Sequence, residues 1–377
     1  MRVLIDIASL GRGGAERQVV QLVTGLTRRG HECALAVNKS VEAYTAELAA
    51  GGVEVKSFGR THRYDARILP DLVAFSRKFA PDVILAVAFN ATLWGRLAAV
   101  IARCPCVTAE HSSSDKSPHR IVLCNRLLGS HTRATVACGR AQVPSLVAAG
   151  NRQRSIVVIH NGVDTAEYFP DANGGAEFRE RVGIPADAVA VGLVAAHRPE
   201  KRHDRFIRLI EGLSALGLDV WGCMVGGGGL LGVNRQRALR SRVADRLVVT
   251  GPVTDMRGVY SGLDLVVLVS DDVETFPLSF LEAQACARPV IGMDTGAVRE
   301  TFAQGASGVL VDQGDERQML REVAELVADR GRLRSMGDHG RMWVGANLSL
   351  ERMVSEYEKL LQSVVDGARF PVRDCAM

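Results

Sequence analysis

Along the chain, compact apolar runs rich in Val, Ile and Leu alternate with longer stretches whose apolar residues return every three or four positions. Residues 2–7 form the first run. A stretch over 15–29 follows, in which Val19, Leu22, Val23 and Leu26 share one helical face. The alternation continues with runs at 32–37, 53–58, 82–87, 106–109, 135–138 and 155–159, and with helical spacing over 70–79 and 92–102. A second series then begins, with runs at 189–195, 220–225, 247–251, 263–269, 290–292 and 310–312. Its helical stretches open at Pro199 and Pro277 and span 316–330 and 350–366. Apolar strands separated by amphipathic helices predict parallel sheets covered on both faces, an α/β class in two repeats.

The length agrees with this division, because 377 residues exceed what one ordinary core holds. Apolar residues make up 47% and charged residues 23%, which excludes disorder on this scale. No apolar run approaches the roughly 20 residues that span a bilayer, and residues 1–10 read as a first strand rather than a leader. The eight cysteines form no C-x-x-C pair and lie mostly in apolar segments, as expected of reduced thiols in a cytosolic protein. Neither H-E-x-x-H nor a D-x-D triplet occurs, so no protein-bound metal is expected. Charge is uneven. Residues 1–160 carry 21 Lys and Arg against 11 Asp and Glu, and residues 161–377 carry 25 against 31. A basic first half suits a phosphorylated acceptor or an anionic membrane, and equally a solvated basic surface.

The chemistry concentrates in 271–289. The strand before it ends at Ser270, and Pro277 opens a helix expected to reach Arg288, because its missing N–H has no partner at a first helical position. Pro289 stops it. A helix start at the carboxyl end of a sheet offers free N–H groups and positive dipole to an anion. Glu274 lies in the loop and Glu282 in the second turn, leaning back toward that end. Carboxylates accept hydrogen bonds in pairs, which suits the vicinal hydroxyls of a ribose or hexose, although acids also serve a helix dipole alone.

Three other places carry candidates. Gly11, Gly13 and Gly14, between a strand and a helix, allow close backbone approach to an anion. They are not a dinucleotide fingerprint, because the third glycine is missing and Asn38 and Lys39 stand where an acid for ribose is needed. Lys201 and Arg202 open a helix whose dipole disfavours cations, so Glu200 or a bound diphosphate is expected beside them. Glu110 and His111 end a strand where open α/β sheets place ligand residues, and Asn90 ends the strand before it.

The segment E-T-F-P-L-S-F-L-E-A-Q-A-C-A-R-P-V-I from Glu274 resembles the E-x7-E segment of the retaining nucleotide-sugar glycosyltransferases of family 4 type, with Thr275-Phe276-Pro277 where Gly-Phe-Gly is usual. In the same order, G-G-A-E-R from Gly13, N-G-V-D from Asn161 with a downstream Phe169-Pro170, and P-E-K from Pro199 resemble the same family. The resemblance implies the GT-B fold, two Rossmann-like domains with parallel sheets facing across a cleft. Residues 1–161 would form an acceptor-side domain and 162–349 a nucleotide-sugar domain, with the last helix returning to the first. The implied reaction moves a sugar from a UDP- or GDP-linked donor to a hydroxyl acceptor, lipid-linked for example, in polysaccharide, glycolipid or other glycoconjugate synthesis. A cytoplasmic protein is expected, with peripheral contact at the inner membrane face as one reading of its basic first half, and with no separate cofactor and no nucleic-acid partner.

By the same resemblance Glu274 and His111 attend the transferred sugar. Lys201 holds the diphosphate together with Phe276, Leu278 and Ser279, Glu282 takes the ribose, and the backbone at Val253 meets the base. Gly13 and Gly14, with Glu16 beside them, form the loop near the donor phosphate. The family arginine five residues before Lys201 is Ala196 here, and Arg198 is the nearest replacement. Sugar 2-epimerases and phosphorylases share the fold, and Ala196 also admits a catalytically silent sugar-nucleotide-binding protein.

Overall fold

The structure is a computed structural model that describes residues 1–62, 64–111, 119–271 and 274–368. The chain divides into two compact units, Met1–Gly162 joined by the segment from Leu350, and Val163–Ser349.

The first unit runs β1 (Arg2–Ile7), α1 (Gly14–Arg28), β2 (Glu32–Val37), α2 (Thr45–Ala50), β3 (Glu54–Ser57), α3 (Ile68–Phe79), β4 (Val83–Val87) and α4 (Phe89–Ala102). It continues with β5 (Cys106–Glu110), α5 (His119–Leu128), β6 (Thr132–Ala137), α6 (Val143–Ala148) and β7 (Ile156–Val158). The strands make a parallel sheet in the order β3-β2-β1-β4-β5-β6-β7. Successive residues of β1 serve opposite faces, as the strand period requires. Val3, Ile5 and Ile7 join a core with α1, and Leu4 joins one with α3 and α4.

The second unit runs α7 (Ala172–Val182), β8 (Val189–Val194), α8 (His203–Ala215), β9 (Val220–Val225), α9 (Leu231–Leu239), β10 (Leu247–Gly251) and α10 (Met256–Gly262). Then come β11 (Leu265–Leu268), α11 (Leu278–Ala285), β12 (Val290–Met293), β13 (Gly308–Val311), α12 (Glu316–Ala328) and α13 (Arg330–Asn347). Its sheet is also parallel, in the order β10-β9-β8-β11-β12-β13. A final helix, α14 (Leu350–Val365), packs on α1 and belongs to the first unit.

Strand order reverses between β1 and β4 in one sheet and between β8 and β11 in the other. α1 and α4 join different cores, α8 packs with α9 and α12, and α11 packs with α10 and α13. Chains leaving two neighbouring strands toward opposite faces open a crevice at the strands' carboxyl ends, the usual ligand position of such sheets.

Two expected helices differ from those observed, and both differences bear on that crevice. The helix expected from Pro199 is a 3-10 turn, Pro199–Lys201, followed by Arg202 in a left-handed conformation (φ 48°) and only then by α8. The helix expected over 277–288 is shorter at both ends. Pro277 is extended and caps α11, and the chain leaves the helix before Arg288 through Ala287 at φ 57°. The tail expected at 370–377, including Cys375, lies outside the described residues; the other seven cysteines are free. Among the described residues no helix is long and apolar enough to cross a membrane.

Candidate functional site

In the second unit the crevice is built from glycines and then charged. Beyond β8, residues 195–198 cross a glycine turn at 226–229, with the Ala195 N–H donating to Val225 O (3.0 Å) and the His197 N–H to Gly227 O (2.7 Å). A Cβ at Gly226 would lie 2.1 Å from Ala195 O, and one at Gly228 2.8 Å from His197 N. Only glycine permits that approach, and it sets the path by which the loop delivers Lys201.

Lys201 Nζ donates to Glu274 Oε1 at 2.5 Å, and Ser270 Oγ donates to the same oxygen at 2.5 Å. The Glu274 side chain is only 4% exposed and that of Lys201 19%. The negative group that Lys201 requires is therefore Glu274, not Glu200, whose backbone carbonyl accepts from the Asp271 N–H. An ammonium has three donors, so the pair leaves Lys201 capacity for a further acceptor. Glu274 is also fixed through its backbone. Its carbonyl accepts from the Ala297 N–H (3.1 Å), and Gly296, at φ 53°, passes so close that a Cβ would lie 1.6 Å from that oxygen.

α11 starts beside this pair. Pro277 has no N–H, no side chain caps the helix end, and the first-turn N–H groups of Leu278 and Ser279 have no intrahelical partner. Both residues are half-buried, and Phe276 is buried. One turn on, half-buried Glu282 accepts from the Tyr260 hydroxyl, 2.6 Å from Oε2. Burial pushes that phenol well up, so it stays a donor. Val253 lies half-buried just beyond β10.

Two neighbouring cations are engaged elsewhere. Arg202 pairs with Asp204 and Asp271 (both 3.0 Å), and Arg205 pairs with Asp271 (2.7 Å). Arg198 is exposed and lines a hollow of about 730 Å³ with Arg202, His203, Asn234 and Arg237; neither Lys201 nor Glu274 is in its wall.

In the first unit the candidates gather at the ends of the adjacent strands β1, β4 and β5. Gly13, extended at φ −90°, caps α1, and both it and Gly14 are exposed. The Glu16 carboxylate folds back on this end, where a Cβ at Gly13 would meet Oε2 at 2.2 Å. His111 follows β5 directly, and shielding from water lowers its imidazole to about 4, so it is neutral at pH 7. Asn90 lies in the first turn of α4. Glu110, the last residue of β5, is buried; burial raises its carboxyl to about 7, against the pull of Arg96 and a hydrogen bond from Thr92.

Sequence reasoning missed three participants. Ser270 was read only as a strand end, and Tyr260 was not singled out. Glu110 was placed with His111 at the strand end but given no role of its own, although a carboxylate closing an apolar strand is itself a signal.

Two family descriptions match the chain in the order of its units, Glycosyltransferase Family 4 over residues 12–167 and Glycosyl transferases group 1 over residues 176–343. The chain belongs to the family 4 glycosyltransferases. This family 4 chain is 32% identical over 190 residues to the GDP-mannose-dependent alpha-(1-6)-phosphatidylinositol monomannoside mannosyltransferase of Mycolicibacterium smegmatis, covering 48% of the chain and 50% of the relative. It is 32% identical over 192 residues to the D-inositol 3-phosphate glycosyltransferase of Thermobispora bispora, covering 48% and 44%. The chain thus spans about half the length of these curated relatives. The crystal structure of HepE from Anabaena in complex with UDP matches with a TM-score of 0.85 over 96% of this chain and 100% of that one, at 20% identity. The fold of this family 4 chain is GT-B.

Proposed function

We propose that this chain transfers a sugar, with retention, from a nucleotide-diphosphate donor to a hydroxyl acceptor in glycoconjugate synthesis. The observation that carries this reading is the part-buried Lys201–Glu274 pair beside the start of α11, which no side chain caps, where the strand order of the second unit reverses. Lys201 and the first-turn N–H groups would hold the diphosphate and stabilise the charge that grows on it as it departs. Glu274, oriented by Ser270 and Ala297, would accept from hydroxyls of the donor sugar, and Glu282 from those of the ribose. In the first unit the glycine loop would attend the acceptor, and neutral His111 the transferred sugar. A relative named for GDP-mannose and a structural neighbour crystallised with UDP support both bases as candidates. Relatives named for phosphatidylinositol mannoside and inositol phosphate support a phosphorylated or lipid-linked acceptor, as does the basic first half. Contact with an anionic membrane belongs to the same reading; salt-sensitive sedimentation with anionic vesicles tests it, and no sedimentation removes it.

The deciding experiment offers a panel of UDP- and GDP-sugars, with and without acceptor extracts, and follows products by mass spectrometry. Nucleotide diphosphate release that depends on the acceptor is expected. Isomerised sugar without an acceptor would favour an epimerase, and tight nucleotide binding with no turnover of any donor would favour a binding protein; either result overturns the transferase reading.

A further inference from the structure

Tyr260 is fully buried in a short helix that is itself well fixed. Asp255 caps α10 by accepting from the Gly258 N–H (3.0 Å), α10 packs along α7, and the Tyr260 ring meets Tyr168 edge-on with centroids 6.1 Å apart. From that anchored ring a single hydroxyl reaches 2.6 Å to Glu282 Oε2. A glutamate side chain has several rotatable bonds, and a half-buried one left to itself divides its time among rotamers. A short hydrogen bond to one oxygen fixes the carboxylate plane, and a carboxylate has lone pairs enough to accept several donors at once.

We propose that Tyr260 is a positioning residue for the nucleotide: its hydroxyl holds the Glu282 carboxylate in the orientation that accepts ribose hydroxyls, and so sets the preference of the site for ribonucleotides over deoxyribonucleotides. The inference rests on the assignment of Glu282 to the ribose in the proposed function. Burial supports it by keeping the phenol protonated, so that Glu282 faces a donor and never a second anion. The competing account is a core tyrosine that simply needs an acceptor. Under that account, removing the hydroxyl lowers stability but leaves ribose selectivity unchanged.

Calorimetric titration of wild type and Tyr260→Phe with UDP, GDP and their 2′-deoxy and 3′-deoxy counterparts separates the two. Wild type should prefer the ribonucleotide by about tenfold or more, the scale of a hydrogen bond to a charged group. Tyr260→Phe should narrow that preference to within about threefold, with affinity for the deoxy forms nearly unchanged. A variant that discriminates as strongly as wild type overturns the proposal. A wild type that binds ribo and deoxy forms alike overturns it too, together with the assignment of Glu282 to the ribose, and a wild type that binds neither UDP nor GDP overturns the donor site as a whole. Should Tyr260→Phe not fold, 3-fluorotyrosine at position 260 preserves the packing and alters only the acidity of the hydroxyl; an unmoved preference then counts against the proposal.

Discussion

Lys201 and Glu274 touch each other, yet they should fail differently. Glu274 is held by Ser270, by Lys201 and through its own carbonyl, and its proposed partner is the sugar. Lys201 has donors to spare and a proposed partner in the diphosphate. Glu274→Ala should therefore lower transfer by roughly 100-fold or more while nucleotide diphosphate affinity stays within a few fold, whereas Lys201→Ala should weaken that affinity by about 1–3 kcal/mol. Calorimetry beside initial rates checks both, and equal affinity losses in the two variants would dissolve the division of labour. Glu110 yields a prediction about pH. Its carboxyl stands at about 7 folded and near 4.3 unfolded, so its contribution to stability is complete below the unfolded value and is lost as pH rises through about 7. His111 runs the other way, since an imidazole lowered to about 4 contributes above about 6.5 and loses that contribution as pH falls. The two slopes oppose each other between about pH 4.5 and 6.5, and Glu110 acts alone above that window. Glu110→Gln should gain stability relative to wild type between pH 5 and 8, by up to a few kcal/mol in denaturant melts. A difference that stays flat with pH would mean the carboxyl is not buried in solution.

At the scale of elements, the turn after β12 matters as much as the charged residues it supports. Gly296 has a positive φ and lies against the Glu274 carbonyl, so Gly296→Ala forces either that turn or the Glu274 loop to move. The variant should lose about 2 kcal/mol or more in urea unfolding and lose transfer as well; wild-type rates would show that the Glu274 backbone tolerates displacement. Close approaches of this kind also explain what could be read from the sequence. Strands buried on both faces announce themselves as continuous apolar runs, and β1, β8 and β11 were found within two residues of their ends. α7 and α13 went unread because the glycines that weaken a helical pattern are what lets these helices pack. A Cβ at Gly175 would lie 2.7 Å from the Ser261 carbonyl, and one at Gly337 2.1 Å from Ala287 O. Pro289 suggested a longer α11, but the left-handed Ala287 ends it first. At the site, Lys201, Glu274 and Glu282 were legible because charge at the carboxyl end of a sheet is conspicuous and because their motifs resemble those of a known family. Tyr260 was not, because its hydroxyl acts across two elements that only the fold brings together.

At the scale of the whole molecule, the last described helix, α14, returns to the unit where the chain began. Met353, Val354, Tyr357, Leu360, Leu361 and Val364 of α14 are buried in the same core as Val19, Val23 and Leu26 of α1. The two helices approach closely because position 25 is glycine, where a Cβ would lie 2.6 Å from Val354 Cγ2. Arg29 pairs with exposed Glu351 (2.7 Å) and with part-buried Glu358 (2.6 Å) at the rim, contacts of the kind worth about 1 kcal/mol or less each. The apolar contacts decide the outcome: burying each large side chain is worth about 1.5–3 kcal/mol, and several together match the whole stability of a typical domain, about 5–15 kcal/mol. Residues 1–162 alone should therefore lack a cooperative urea transition and bind a dye for exposed apolar surface, whereas the same residues joined by a flexible linker to 350–368 should regain the transition. A sharp transition in 1–162 with an unchanged midpoint would show that α14 covers the first unit without holding it together.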